Sequence, residues 1–207
     1  MLALRRRWRL WPLFAGGLLV AAATGTSTEA SSTSGMVTGG LTSQPIGHYE
    51  FCKKYPAECS IRMRDRGPMA LTDRQWRLAH RVNAEVNRAV KPMNDIDIYG
   101  KEEVWAYPDR GVGDCEDYVL EKRRRLSKLG FSLSNLLITV VRKPDGEGHA
   151  VLTLRTNRGD LVLDNLHDEL RPWNKTGYRF LKRQASDHTG RWVSLREEQN
   201  MLVGAVQ

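Results

Sequence analysis

The feature that most constrains this chain is a change of hydrophobic period at Gly130. Before it, Trp76, Ala79, Val82, Val86 and Val90 recur at helical spacing, and Tyr118, Val119, Leu126 and Leu129 form the apolar side of a second helix. After it, short β-branched and apolar runs alternate with turn clusters, the pattern of strands. A chain whose helices precede a meander of strands is an α+β chain, with helices packed on an antiparallel sheet.

The boundaries are written in local chemistry. Thr72 followed by Gln75 makes a capping box, and Pro92 closes that first helix. Asn83 and Asn87 lie one turn apart on a neighbouring stripe, solvated or bonded to a nearby loop. Residues 91–113, with Asp95, Asp97, Tyr99, Trp105, Tyr107 and Pro108, read as one long loop that walls a cleft. Asp114 caps the second helix, which starts near Cys115 and stops at Gly130. Arg123, Arg124 and Arg125 read as its solvated face. Strands follow at 136–142, 149–155 and 160–166, separated by Lys143-Pro-Asp-Gly-Glu-Gly148 and Thr156-Asn-Arg-Gly159, with 178–182 and 191–195 as further candidates.

The ends set the domain limits and temper the charge. Arg5, Arg6, Arg7 and Arg9 precede an apolar run from Leu10 that closes on Ala21-Ala22-Ala23, which reads as a secretory signal peptide over 1–23. A single anchor is the alternative, but the run falls short of the roughly 20 apolar residues a span needs. Residues 24–47 are rich in Ser, Thr and Gly and read as a flexible leader, leaving 48–207 as one domain. The formal charge is +8, and the four signal arginines, with no acid beside them, account for half of it. The remaining excess is mild and carries no basic stripe interleaved with aromatics, which argues against a nucleic-acid binder.

Three cysteines in an exported chain make a pair and a leftover. Cys52 and Cys59 flank Tyr55-Pro56, whose turn can bring them together as a disulfide. Cys115 is then alone, and an unpaired thiol in an oxidising compartment is buried or used.

Its surroundings favour use. A helix start presents free N–H groups and the positive end of the dipole, which favour thiolate and can hold an oxyanion. Asp114, Glu116 and Asp117 oppose that effect and call for a neutralising partner. His149 begins its strand after a Gly-rich turn, where an imidazole can lean over the helix start as general base. Asp164, inside Leu-Val-Leu-Asp-Asn-Leu, is a carboxylate in an apolar strand and needs a partner. A hairpin centred on Asn157 and Arg158 sets residue 149 opposite about 166, with Asp164 diagonal to His149 on the same face. The other histidines, His48, His80, His167 and His188, show no partner pattern, and His167-Asp168 reads as surface loop. Trp76 and Trp105 are candidates for the cleft wall.

A Cys at a helix start, then His and Asp on successive strands, resembles the papain-like and transglutaminase-like superfamily. Gly113-Asp-Cys-Glu-Asp-Tyr118, His149-Ala-Val-Leu152, Leu163-Asp-Asn-Leu166, Trp105-Ala-Tyr-Pro108 and the Val-Asn-x-x-Val-Asn of the first helix resemble more closely the bacterial transglutaminase-like cysteine peptidases, over roughly residues 48–195. The resemblance implies that Cys115 is the nucleophile, His149 the base and Asp164 the orienting acid of a peptidase working through a thioester. Its best-known members are periplasmic, calcium-dependent proteases that clip surface adhesins in biofilm control. It therefore implies calcium, held by Asp114 and Glu116, with Asp117 and Asn135 as further candidates. It also implies a secreted or surface protein as substrate and, by analogy, an inner-membrane regulatory partner. Zinc is disfavoured, since no second Cys or His lies at ligand spacing. Transglutaminase-type acyl transfer and a non-catalytic calcium-dependent binding module are the competing readings.

Overall fold

The computed structural model describes residues 35–196. The signal segment lies outside the described residues. Part of the stretch read as leader is built into the domain: β1 (Thr38–Thr42) pairs antiparallel with β9 (His188–Leu195), and Met36 is buried. Its small polar residues gave no alternation to read, but they suit an edge strand whose backbone does the pairing.

Five helices follow in the first half: α1 (Ile46–Lys54), α2 (Pro56–Cys59), α3 (Asp73–Ala89), the short α4 (Asp95–Tyr99) and α5 (Cys115–Lys128). The Cys52–Cys59 disulfide joins α1 to α2. At α3 the capping box is complete, with Thr72 Oγ1 accepting from the Gln75 N–H and the Gln75 side chain accepting from the Thr72 N–H. The segment expected to be an unstructured loop is folded. β2 (Lys91–Pro92) and β3 (Val112–Gly113) pair in parallel and tie its ends together, and α4 lies between them.

The second half is β4 (Leu136–Arg142), β5 (Gly148–Leu154), β6 (Leu161–Asp164), β7 (His167–Pro172), β8 (Arg179–Ala185) and β9. With β1 they form a seven-stranded antiparallel sheet in the order β1-β9-β8-β4-β5-β6-β7. β7 replaces the surface loop read at His167-Asp168. Its polar composition hid it, because an edge strand draws its stability from the β6 ladder and not from a buried face.

Alternation on the central strands builds two cores. Ile138, Ala150, Leu152, Leu154, Leu161 and Leu163 pack against Val82, Val86, Tyr118, Val119 and Leu126 of α3 and α5. Val141, Val151 and Val162 turn to the other face, with Met36 and Phe180. α5 packs on both the sheet and α3, which itself reaches β6 and β7, so the burial of α5 extends beyond one stripe. Arg123, expected in solvent, is only 7% exposed and donates from Nε to the Leu136 carbonyl, while Leu129, expected inside, is half exposed at the helix end. Arg124 and Arg125 do stay near the surface, both on Glu121. The fold is α+β and papain-like or transglutaminase-like, with the N-terminal helices packed on an open antiparallel sheet.

Candidate active site

Cys115 is the first residue of α5, with Asp114 at the N-cap position. The Asp114 side chain makes no capping bond, so the first N–H groups of the helix are not claimed by it. The thiol donates to Glu116 Oε2 at 3.1 Å, and the backbone N–H of Ala150, the residue after His149, is directed at the same sulfur. Helix start and strand start therefore meet within one residue of the imidazole.

His149 Nε2 lies 2.9 Å from Asp164 Oδ1, and both side chains are buried. The register that makes this contact sets Leu152 opposite Leu163 and Leu154 opposite Leu161. Continued outward, it places residue 149 opposite 166 and Asp164 diagonal to His149, on the face away from the helices. With Nε2 engaged, Nδ1 is the ring nitrogen left for proton exchange. Asp164 is further held by the Tyr178 hydroxyl, which donates to Oδ2 at 2.6 Å, and by the Leu166 N–H, which donates to Oδ1 at 3.0 Å. Burial alone would raise this carboxyl, but the imidazole and these two donors outweigh it and hold it at about 2. The Tyr178 ring also stands edge-on to His149 at 5.7 Å. Sequence reasoning missed Tyr178, because β8 follows β7 in the chain but pairs with β4.

The acids beside the thiol have a different environment. Asp95 Oδ2 accepts from the Val104 N–H and Asp117 Oδ1 from the Ala106 N–H, so residues 104–106 orient both carboxylates. Their other oxygens, Asp95 Oδ1 and Asp117 Oδ2, are buried without a hydrogen-bond partner, as is Asp114 Oδ1. One oxygen from each of these three residues lies within 4.8 Å of the others. Gly113 closes the cradle, since a Cβ there would stand 2.6 Å from Asp117 Oδ2. Burial and mutual repulsion push these groups up, Asp95 to about 6, Asp117 to about 8 and Glu116 to about 9, with Asp114 raised as well. The Cys115 thiol is pushed well above its ordinary value, first by burial and then by Glu116.

Three clustered carboxylates, each with a buried oxygen that lacks a hydrogen-bond partner, are a donor set for a hard divalent cation. Of the residues read as metal ligands in the sequence, Asp114 is in this group and so is Asp117. Glu116 turns instead to the thiol and to Asp114. Asn135 precedes β4 and bonds beside Arg155, at the opposite end of β5 from His149. Asp95 was missed as a ligand, because twenty residues separate it from Cys115 and only the β2–β3 pairing closes that distance.

Two other readings change. His48, which showed no partner in the sequence, is fully buried between Trp105 and Trp192, hydrogen-bonded to the Trp192 Nε1–H and to Gln44. Trp105 therefore serves the core, whereas Trp76 is exposed and stacked on His80. Two cavities along 99–112, of about 360 and 280 Å³, open beside α1 and are not lined by Cys115 or His149.

A helix start carrying Cys115, met by the first residues of the strand that carries the buried His149–Asp164 pair, is the order of parts used by cysteine peptidases of the papain and transglutaminase type. The sequence matches the bacterial transglutaminase-like cysteine proteinase (BTLCP) family over residues 38–200, and the chain belongs to that family. It is thus an enzyme of the cysteine-protease class. Among solved structures, calcium-bound LapG of Legionella pneumophila aligns with a TM-score of 0.49 and 22% identity, covering 57% of this chain and 70% of that one. The EGTA-treated form of the same protein gives 0.48 and 21%, covering 59% and 72%. No curated protein matches the chain.

Proposed function

We propose that this protein is an exported cysteine endopeptidase in which Cys115 attacks, His149 moves the proton and Asp164 orients the imidazole. The observation that carries the reading is the buried His149–Asp164 hydrogen bond at the strand end that meets Cys115. With Nε2 held by Asp164, Nδ1 takes the thiol proton. The sulfur adds to the scissile carbonyl, and the first N–H groups of α5 stabilise the oxyanion. The C–N bond then breaks, the amine leaves with the proton from Nδ1, and an acyl-thioester remains. Water, deprotonated by His149, releases the acid and regenerates the thiol.

A calcium ion fits beside this centre, with Asp95, Asp114 and Asp117 to hold it. Bound there, it would cancel the negative field that opposes thiolate formation and pin the start of α5 to residues 104–106. The substrate class is a protein, a surface adhesin or another secreted protein, in keeping with the signal-like N-terminal sequence and the peptidase family.

The test is the rate at which iodoacetamide alkylates Cys115 near neutral pH, in millimolar calcium and in chelator, for the mature chain and for His149→Ala. Alkylation slowed roughly tenfold or more by His149→Ala, and again by chelation, is the expected result. A thiol equally inert in every condition would sink the peptidase reading and leave a binding module.

A further inference from the structure

Asn83 and Asn87 of α3 both reach the turn that carries the carboxylate beside His149. β6 ends at Asp164 and β7 begins at His167, its partner, so only Asn165 and Leu166 lie between. Asn83 Nδ2 donates to the carbonyls of His167 and Asp168, at 2.8 and 2.9 Å. Asn87 Nδ2 donates to the carbonyl of Asp164 itself at 3.0 Å, to that of His167 at 3.2 Å and to Asp168 Oδ1 at 2.9 Å. The two asparagines lie one helical turn apart, and α3 packs along β6 and β7.

The sheet holds this point weakly. The β5–β6 pairing reaches Leu163, the β6–β7 register shifts between Val162 and Asp164, and β7 is the edge of the sheet. A ladder interrupted there leaves the backbone of Asp164 to other partners. The chemistry of the turn selects amides for that task. It offers three carbonyls and a carboxylate oxygen to α3, all of them acceptors. An aspartate would repel them and a leucine would leave them unsatisfied. A serine or threonine inside a helix would bond back to its own preceding turn. Asn83 is fully buried, and the Oδ1 of each asparagine is buried without a hydrogen-bond partner, a cost that the Nδ2 bonds must offset.

We propose that Asn83 and Asn87 are positioning residues of the catalytic centre, which clamp the β6–β7 turn to α3 and fix the backbone from which Asp164 reaches His149. Tyr178 and the Leu166 N–H aim the carboxylate, whereas the asparagines hold the main chain that carries it. The Leu166 N–H belongs to the same turn, so the clamp places one of those donors as well. This role rests on the triad reading above.

The decisive variants are Asn87→Ala and Asn83→Ala in millimolar calcium. They are read by the downfield proton resonance of the His149–Asp164 hydrogen bond and by the rate of Cys115 alkylation. Thr72→Ala, which loosens the same helix at its cap, is the control for a merely structural role. All three variants should melt earlier than wild type. Thr72→Ala should keep the resonance and the rate, while each asparagine variant loses the resonance and alkylates about fivefold more slowly. A folded asparagine variant with the resonance and rate of wild type overturns the proposal for that residue. Loss of the resonance in Thr72→Ala overturns it for both, since any loosening of α3 would then suffice. If the asparagine variants do not fold, the side-chain amide signals of Asn87 are followed in wild type through the titration of His149. A shift at the His149 midpoint supports the clamp, and signals indifferent to it overturn it. An inert wild-type thiol would sink the triad reading, and loss or retention of the resonance in the variants would still decide the clamp.

Discussion

At the scale of single residues, Asp164 is the best-anchored group near the thiol. Its carboxylate meets His149, Tyr178 and the Leu166 N–H, while Asp95, Asp114 and Asp117 each leave a buried oxygen without a donor. Because its folded pKa of about 2 lies below the unfolded value, its contribution is present above about pH 4 and lost as the pH falls toward 2. The difference in stability between wild type and Asp164→Asn, followed by thermal melts across that window, should shrink by roughly 2 kcal/mol. Tyr178→Phe removes one of the three donors and leaves the others. It should slow Cys115 alkylation a few-fold and destabilise the fold by about 1–2 kcal/mol, as read by urea unfolding. His149 and Asp164 were legible in the sequence because the hairpin turn fixes their register. Tyr178 was not, because it reaches Asp164 from just before β8, a strand three places from β6 in the sheet order.

At the scale of elements, the segment between α3 and α5 does more than connect them. The β2–β3 pairing folds it back, α4 presents Asp95, and the N–H groups of Val104 and Ala106 aim the carboxylates of Asp95 and Asp117. A long polar stretch hides such a device, since its bonds are made by backbone. The capping box of α3 was plain in the sequence and present in the structure, because it is closed within four residues. Thr72→Ala should cost about 1 kcal/mol, measured by chemical denaturation. The Cys52–Cys59 bridge closes a short loop between α1 and α2. Replacing both with alanine should cost about 2–3 kcal/mol, seen as a lower urea midpoint at unchanged slope.

At the scale of the whole molecule, the clustered acids Asp95, Asp114 and Asp117 bear on the stability of the fold. Their unpartnered oxygens repel one another, and a cation binding only the folded chain would stabilise it by mass action. Millimolar calcium should therefore raise the melting temperature and chelator lower it. Asp117→Asn should abolish the calcium response while stabilising the chelated protein, because it removes one like charge from a buried group. Equal melting curves for wild type in calcium and chelator would count against the cation. Among the described residues no helix is long and apolar enough to cross a membrane.

The sequence by itself determined the α+β order, the α3 and α5 boundaries, the pairing of β5 with β6 and the approach of His149 to Asp164. Each depends on hydrophobic period, capping or a tight turn, interactions that close within a few residues to about fifteen. Only the tertiary structure decided what packs across distant segments. It buried Arg123 and Lys122, made β1 and β7 edge strands of the sheet, and placed His48 between two tryptophans. It also gathered Asp95 with Asp114 and Asp117, and brought Tyr178 to Asp164. The physical reason is that burial and partnership depend on which surfaces meet in three dimensions, whereas local period and turn chemistry are properties of the chain alone.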